Sequence, residues 1–475
     1  MKSLALERIQ NIGWFVVVAV GLASAGVWTN VMGASAELLP DVSRTAFGAS
    51  SFSIGRMVVG VALILLARTV QEVWRSIAGM TSIIIVAATG FAVIAPHQTL
   101  LDAAALCSAC IFLGSMCYTV LTTSFYMLLS YARKISAAAA AIAASLLAEL
   151  VVTNRVLEGG SFVADAYAVM VSSVLLGACL MVAFAKSPGG VPHCDRTEEE
   201  GRLSFRACLP VCRLLIYTVA LVCIKALSDV GAWGMNRGYY LGVESVSSSE
   251  MLVICLLVAA MAAVVFVVPV PRLSMQVRSI LGFAMVLAGL QILALGGDIA
   301  FGRIFDLVTV SCESFAHLLM WVTFIECILT VPIPPFRLTG IRSVVYVLAS
   351  ILLSMVSNAG IASSTVVMVA IYGLFLLLVL TLVAGGYTGR GPVEVVDAVV
   401  DVDEGAARIN AFVERYGLSG KEREILILLL GGAKRSDIEH TLGMSEGTVR
   451  THISRMYRKL DVHSKGELEN LVSKE

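Results

Sequence analysis

Charge is what this chain has least of. Only 14% of its 475 residues are Asp, Glu, Lys or Arg, against 58% that are hydrophobic. Soluble domains carry about 25% charge, so the shortage excludes an ordinary water-exposed fold for most of the chain and assigns it to a membrane. Metal-binding spacings are also missing. Of eleven cysteines, Cys107, Cys110, Cys117, Cys179, Cys223, Cys255, Cys312 and Cys327 sit in apolar runs, where thiols behave as small hydrophobes. Cys194, Cys208 and Cys212 share one loop with His193, but their irregular spacing does not make a zinc set. No Walker A motif, glycine-rich nucleotide loop or nucleophile–base constellation is present. The expectation is binding chemistry with no cofactor and no metal, not an enzyme.

What is there, first, is a series of apolar runs of about 20 residues, the length that crosses a bilayer as a helix. They fall at approximately 13–34, 47–67, 76–95, 103–127, 136–153, 162–185, 213–232, 251–270, 278–296, 307–330, 343–362 and 364–384. The count is twelve, the last pair joined by a very short turn. Ala34-Ser35-Ala36 after the first run mimics a signal-peptidase site, but the run is longer than a signal h-region, so an uncleaved first helix is expected.

Basic residues between the runs set the orientation. Lys2, Arg8, Arg68, Arg75, Arg133, Lys134, Lys186, Arg196, Arg202, Arg206, Arg213, Arg272, Arg278, Arg337 and Arg342 fall on one side, and only Arg44, Arg155, Arg237 and Arg303 on the other. This asymmetry predicts cytoplasmic N- and C-termini in a multi-pass protein of the inner (cytoplasmic) membrane, with the central loop 187–212 cytoplasmic as well.

A polar segment closes the chain. Gly385 to Pro392 reads as a flexible exit, followed by Glu394, Asp397, Asp401, Asp403 and Glu404, so 385–413 is an acidic linker. Short helical patterns succeed one another from Leu418 to Val472. Ser419-x-x-Glu422 is a capping box opening a helix with Ile425, Leu428 and Leu429 at helical spacing. Gly431-Gly432 stops it. A second helix, about Arg435 to Leu442, turns at Gly443, and Ser445 caps a third running to about Leu460. Ser464-x-x-Glu467 opens a fourth. On the third, Val449, Ile453, Met456 and Leu460 form an inward stripe, and Arg450, Thr451, Ser454, Arg455, Arg458 and Lys459 lie off it. That division suits a helix reading the major groove, with base-contacting side chains early and a basic end at phosphates. An amphipathic helix with a solvated basic face is the plainer alternative.

The segment resembles the LuxR-type helix-turn-helix. The resemblance rests on Leu418, Glu422, Glu424, Gly432, Ile438, Leu442, Ser445, Thr448-Val449-Arg450, His452 and Lys459-Leu460. It implies double-stranded DNA as partner, base contacts near Arg450, Thr451 and Ser454, and a homodimer on paired half-sites, with Leu468, Leu471 and Val472 of the fourth helix as the dimer surface. Expected DNA contacts are Ser445, Thr448, Arg450, Thr451, Ser454, Arg455, Arg458 and Lys459. Ser454 stands where several relatives carry Lys, and Glu439 replaces the usual Ala. The linker is too short for the receiver domain that many relatives carry.

Six spans, a loop and six spans resemble the layout of the major facilitator superfamily. The loop signature Gly-x-x-x-Asp-Arg-x-Gly-Arg is replaced here by Ala67 to Arg75, without its Gly and Asp, and Pro271 to Arg278 departs equally. Transport is therefore not assigned.

Ionisable residues inside spans are costly, at least ~2.5 kcal/mol each at a helix centre, and mark any signal site. They are Arg56, Glu149, Lys225, Asp229, Glu313, His317 and Glu326. Lys225 and Asp229, like Glu313 and His317, are four apart and share a helix face. The first six fall toward the outer half of their spans and are the candidate ligand-sensing residues; structural ion pairing is the alternative. His317 is also a pH-sensing residue type. Glu326, near the cytoplasmic end, is expected to snorkel.

The predicted fold is all-α: a twelve-helix transmembrane bundle (6+6) over 1–384, then a four-helix LuxR-type domain over 414–475. The expected function is a membrane-integrated one-component transcriptional regulator, with lipid, DNA and a small-molecule signal as partners. The alternative is a transporter with an appended DNA-binding domain.

Overall fold

The computed structural model describes residues 2–34, 46–94, 103–131, 135–158, 161–187, 205–229, 248–267, 275–295, 302–331, 333–358, 364–384, 412, 415–420, 422–423, 425–426, 446–460 and 462. They divide between two compact units, Met1–Glu394 and Val395–Glu475. No strand occurs among the described residues.

The first unit contains α1 (Lys2–Ala34), α2 (Ala46–Glu72), α3 (Trp74–Ile94), α4 (Ala103–Ser130), α5 (Ile135–Glu158), α6 (Phe162–Ala185), α7 (Phe205–Asp229), α8 (Ser248–Ala262), α9 (Met275–Leu295), α10 (Gly302–Thr330), α11 (Pro335–Asn358) and α12 (Ser364–Ala384). A π-helical turn, Ala263–Val267, extends α8. Among the described residues eleven helices are long and apolar enough to cross a membrane, and Gln276–Leu290 within α9 is a shorter apolar helix. Helices suit these runs because a lipid-embedded backbone must bond within itself. Interior hydroxyls follow the same rule: Thr119, Thr123 and Ser124 each donate to the carbonyl four residues back.

The packing repeats with a shift of six. α1 packs on α4, α5 and α6, and α3 on α4 and α6; likewise α7 packs on α10, α11 and α12, and α9 on α10 and α12. The halves meet mainly through α2 against α11, with α5 on α8 and α10, and α4 on α10 and α11. α2 and α11 approach so closely that a Cβ on Gly340 would stand 2.5 Å from the Gly60 carbonyl oxygen. Thr123 and Thr339 share a 3.0 Å hydrogen bond across the halves, and Tyr126 stacks on Trp321 with ring centroids 3.8 Å apart. The outer surface is apolar. Leu65, Ile83 and Val383 are each more than 65% exposed, which suits lipid contact and would be costly in water.

Two helices start well before their apolar runs. α7 begins at Phe205 and α11 at Pro335, not near 213 and 343, so Cys208 and Cys212 lie on a helix and not in a loop. Arg213 and Arg342, read from sequence as loop charges, are inside helices. Arg213 is 3% exposed and gives a hydrogen bond to Glu326 Oε1 at 2.7 Å. Glu326, itself 5% exposed, also accepts from Gln276 at 3.2 Å. It does not snorkel. A hydropathy reading ends a span at an arginine, but α7 continues through Arg213 because Glu326 satisfies its charge, and at Arg342 of α11 the neighbour is the Trp321 ring.

In the second unit, the described residues show α13 (Glu446–Leu460) and helical residues between Gly420 and Leu426. The second and fourth helices expected from sequence, including Leu468, Leu471 and Val472, lie outside the described residues.

Candidate functional site

In the second unit the capping box forms as the spacing requires. The Ser419 backbone N–H donates to Glu422 Oε2 at 2.7 Å, and the Glu422 N–H donates to Ser419 Oγ at 3.3 Å. Gly417, at φ +59°, makes the left-handed turn before it, a conformation open to glycine at little cost. Leu418, Ile425 and Leu426 are buried behind the cap.

α13 presents two faces. Val449, Ile453, Met456 and Leu460 are all buried; each such side chain contributes roughly 1.5–3 kcal/mol relative to exposure. Thr448, Arg450, Thr451, Ser454, Arg455, Arg458 and Lys459 are exposed. Ser445 lies outside the described residues. Thr451 and Lys459 are already engaged. Thr451 Oγ1 donates to the Gly447 carbonyl at 2.8 Å. Lys459 Nζ donates to Glu422 Oε2 at 2.7 Å and to the Gly417 carbonyl at 2.8 Å. Burial alone would raise the Glu422 carboxyl's pKa, but Lys459 and the Ser419 donors outweigh it and hold the group below its ordinary value. Lys459, expected at phosphates, thus ties α13 to the capping box. Arg455 and Arg458 remain as the outward cations of its C-terminal half.

In the membrane unit five of the six sequence-selected residues converge. Glu149 of α5 lies within electrostatic reach of Glu313 of α10 and Lys225 of α7. His317 of α10 feels Arg342, Lys225 and Arg56. The Asp229 side chain lies outside the described residues. Glu149 Oε1 accepts a 2.7 Å hydrogen bond from Asn30 of α1, and a Cβ on Gly26 would collide with this carboxylate, so the glycine makes its room. Arg56 of α2 faces three rings, with Cζ 4.5 Å from the Phe52 centroid, 5.1 Å from Tyr118 and 5.4 Å from Tyr346. Arg342 of α11 stacks 4.4 Å over Trp321.

Sequence reasoning missed Arg342, because a lone arginine at the edge of an apolar run looks like a loop charge. It also missed the aromatic walls, and Asp165. Asp165 is 3% exposed in the first turn of α6, where a helix N-terminus favours an acid; a scan of span 162–185 for charges would have found it.

Comparison with known proteins separates the same two parts. Residues 417–472 match the family described as bacterial regulatory proteins, luxR family. A similar protein is YhjB of Escherichia coli (strain K12), which carries the name of an HTH-type transcriptional regulator. It is 40% identical over 56 residues, 12% of this chain and 28% of YhjB, so the chain spans under a third of that relative's length. Among solved structures, the E. coli fucose:proton symporter FucP is similar at TM-score 0.52 and 13% identity, over 77% of this chain and 98% of FucP. FucP in an outward conformation, described as a major facilitator superfamily transporter, is similar at TM-score 0.50 and 12% identity over the same shares. A bacterial homologue of the iron transporter ferroportin, in an outward-facing state, gives 0.52 and 11%, over 78% of this chain and 98% of that one. At such identities the likeness is one of fold. The chain therefore joins a LuxR-type helix-turn-helix domain to a multi-pass membrane part with a transporter-like fold.

Proposed function

We propose that this chain is a membrane-integrated one-component transcriptional regulator. In this reading twelve spans hold a sensing site, both termini face the cytoplasm of a cell with an inner membrane, and the C-terminal domain binds promoter DNA as a homodimer. One observation carries it: α13 buries its apolar stripe and leaves Arg450, Ser454, Arg455 and Arg458 outward, in a chain that also carries eleven membrane-length apolar helices. The early position of Arg450 suits base edges, and the later arginines suit phosphates.

Immunoprecipitation of the full-length protein from its cells tests the regulator. Discrete promoter fragments should be enriched, and Arg450→Ala should abolish their enrichment; uniform recovery of DNA from both proteins would defeat the reading. Reporter fusions after Gly33, Thr99 or Gly159 should behave as external, and after Lys134 or Glu200 as internal.

The second reading, a transporter with an appended DNA-binding domain, draws on the fold shared with FucP. Uptake of a labelled compound by vesicles bearing this protein, above that of empty vesicles, would favour it.

A further inference from the structure

The membrane unit treats its interior arginines in two different ways. Arg213 is matched with a carboxylate, Glu326, at 2.7 Å. Arg56 and Arg342 have neither a carboxylate nor a hydrogen-bonding partner among the described residues, and Arg342 Nε is buried with its hydrogen-bonding capacity unused. What surrounds them is aromatic: Phe52, Tyr118 and Tyr346 at Arg56, and Trp321 at Arg342. Both side chains are half-buried, and the part of a guanidinium that is out of water requires an opposing charge or hydrogen-bond acceptors, of which ring faces supply only part.

The two groups also act on each other, since Arg56 lies within electrostatic reach of Arg342. Both act on His317, together with Lys225. Like charges from opposite halves, α2 and α11, are therefore held in one interior region. Glu149 is the acid of this region whose partner is plain. Glu149 is bonded to Asn30, and its neighbours of opposite sign include Lys225 rather than either arginine. Among the described residues of this region Arg56, Lys225 and Arg342 stand against Glu149 and Glu313, and the two arginines add planar, fork-shaped donors beside apolar walls.

We propose that this region is a binding site for a small organic carboxylate, held jointly by Arg56 of the first half and Arg342 of the second. Guanidinium forks match a carboxylate's two oxygens, and the aromatic walls suit an apolar body better than a multiply charged, strongly hydrated head. The proposal deepens the sensing reading and rests on it for its regulatory consequence. The site is also placed to affect how the halves meet. Arg342 lies over Trp321, and Trp321 stacks on Tyr126 across the boundary between α10 and α4. An anion that draws Arg342 toward Arg56 changes the support under that stack.

The test uses the purified full-length protein in detergent, with benzoate as probe and benzamide and benzylamine as its neutral and cationic counterparts. Benzoate at millimolar concentration should raise the unfolding midpoint by several degrees, and the other two should not. Arg56→Gln and Arg342→Gln should each abolish the shift, and Arg56→Lys should retain part of it. Without benzoate, both Gln variants should unfold at the parent midpoint or above it, since each removes one of two repelling charges. An absent benzoate shift, an equal shift with benzamide, a shift surviving in both Gln variants, or a ligand-free midpoint several degrees lower in both would overturn the proposal. A promoter reporter separates this site from the sensing reading. Benzoate binding through both arginines with unchanged reporter output supports the site and removes sensing. Reporter output that follows benzoate equally in parent and both Gln variants keeps sensing and removes the site.

Discussion

Lys459 Nζ reaches Glu422 Oε2 at 2.7 Å across 37 residues of chain, and the same ammonium caps the Gly417 carbonyl at 2.8 Å. One lysine thus connects the end of α13 to both the capping box and the left-handed turn before it. Its charge serves the domain's own structure, which moves the expected phosphate contacts to Arg455 and Arg458.

Lys459→Ala should therefore lower stability more than it alters DNA binding. The lysine side chain is 38% exposed, so solvent screening limits the loss to about 1 kcal/mol. Urea unfolding of the C-terminal unit measures it. An unchanged midpoint would mean the contact contributes nothing.

The same pair sets an acid limit. Glu422 is held below its ordinary carboxyl value by Lys459 and the Ser419 donors, against the opposing effect of burial. A lowered folded-state value stabilises fully above the unfolded value, about 4.3, and that contribution is lost as pH falls through the lowered value. Stability of the parent unit should decline below about pH 4.3, and Glu422→Gln should be less stable at neutral pH with a flatter acid limb. Urea midpoints between pH 3 and 6 for both proteins check the sign.

Reading and docking should separate along α13. Arg450→Ala should cost ~1–3 kcal/mol on specific DNA and little on scrambled DNA. Arg458→Ala should weaken both alike and reduce the salt slope by about 1. Binding isotherms on both DNAs at two salt concentrations decide it; equal losses for Arg450→Ala would make that residue a backbone contact.

Arg213 and Glu326 form a nearly buried pair in the membrane unit. Glu326→Gln leaves the guanidinium unmatched and should cost roughly 3–5 kcal/mol, seen as a large fall in the unfolding midpoint in detergent. The double variant Arg213→Met, Glu326→Leu should recover much of it, because two apolar groups leave no stranded charge. If Glu326→Gln alone is neutral, Gln276, which reaches Glu326 Oε1 at 3.2 Å, carries the site.

Local chemistry was legible without coordinates. Apolar runs mark membrane helices because a bilayer admits little else, and Ser419-x-x-Glu422 names its own hydrogen bonds because both partners lie within one turn. The Val449–Ile453–Met456–Leu460 stripe gave the inward face of α13 for the same reason: 3.6-residue periodicity is a property of the chain itself. What only the tertiary structure decided is which distant groups meet. Nothing in the sequence pairs Arg213 with Glu326, or Lys459 with Glu422, because electrostatic partners more than 30 residues apart are chosen by packing. The same is true of Arg342. Its place beside apolar residues reads as a helix end, and only the approach of α11 to α2 and α4 makes it a half-buried cation over Trp321 and, across the two halves, within electrostatic reach of Arg56.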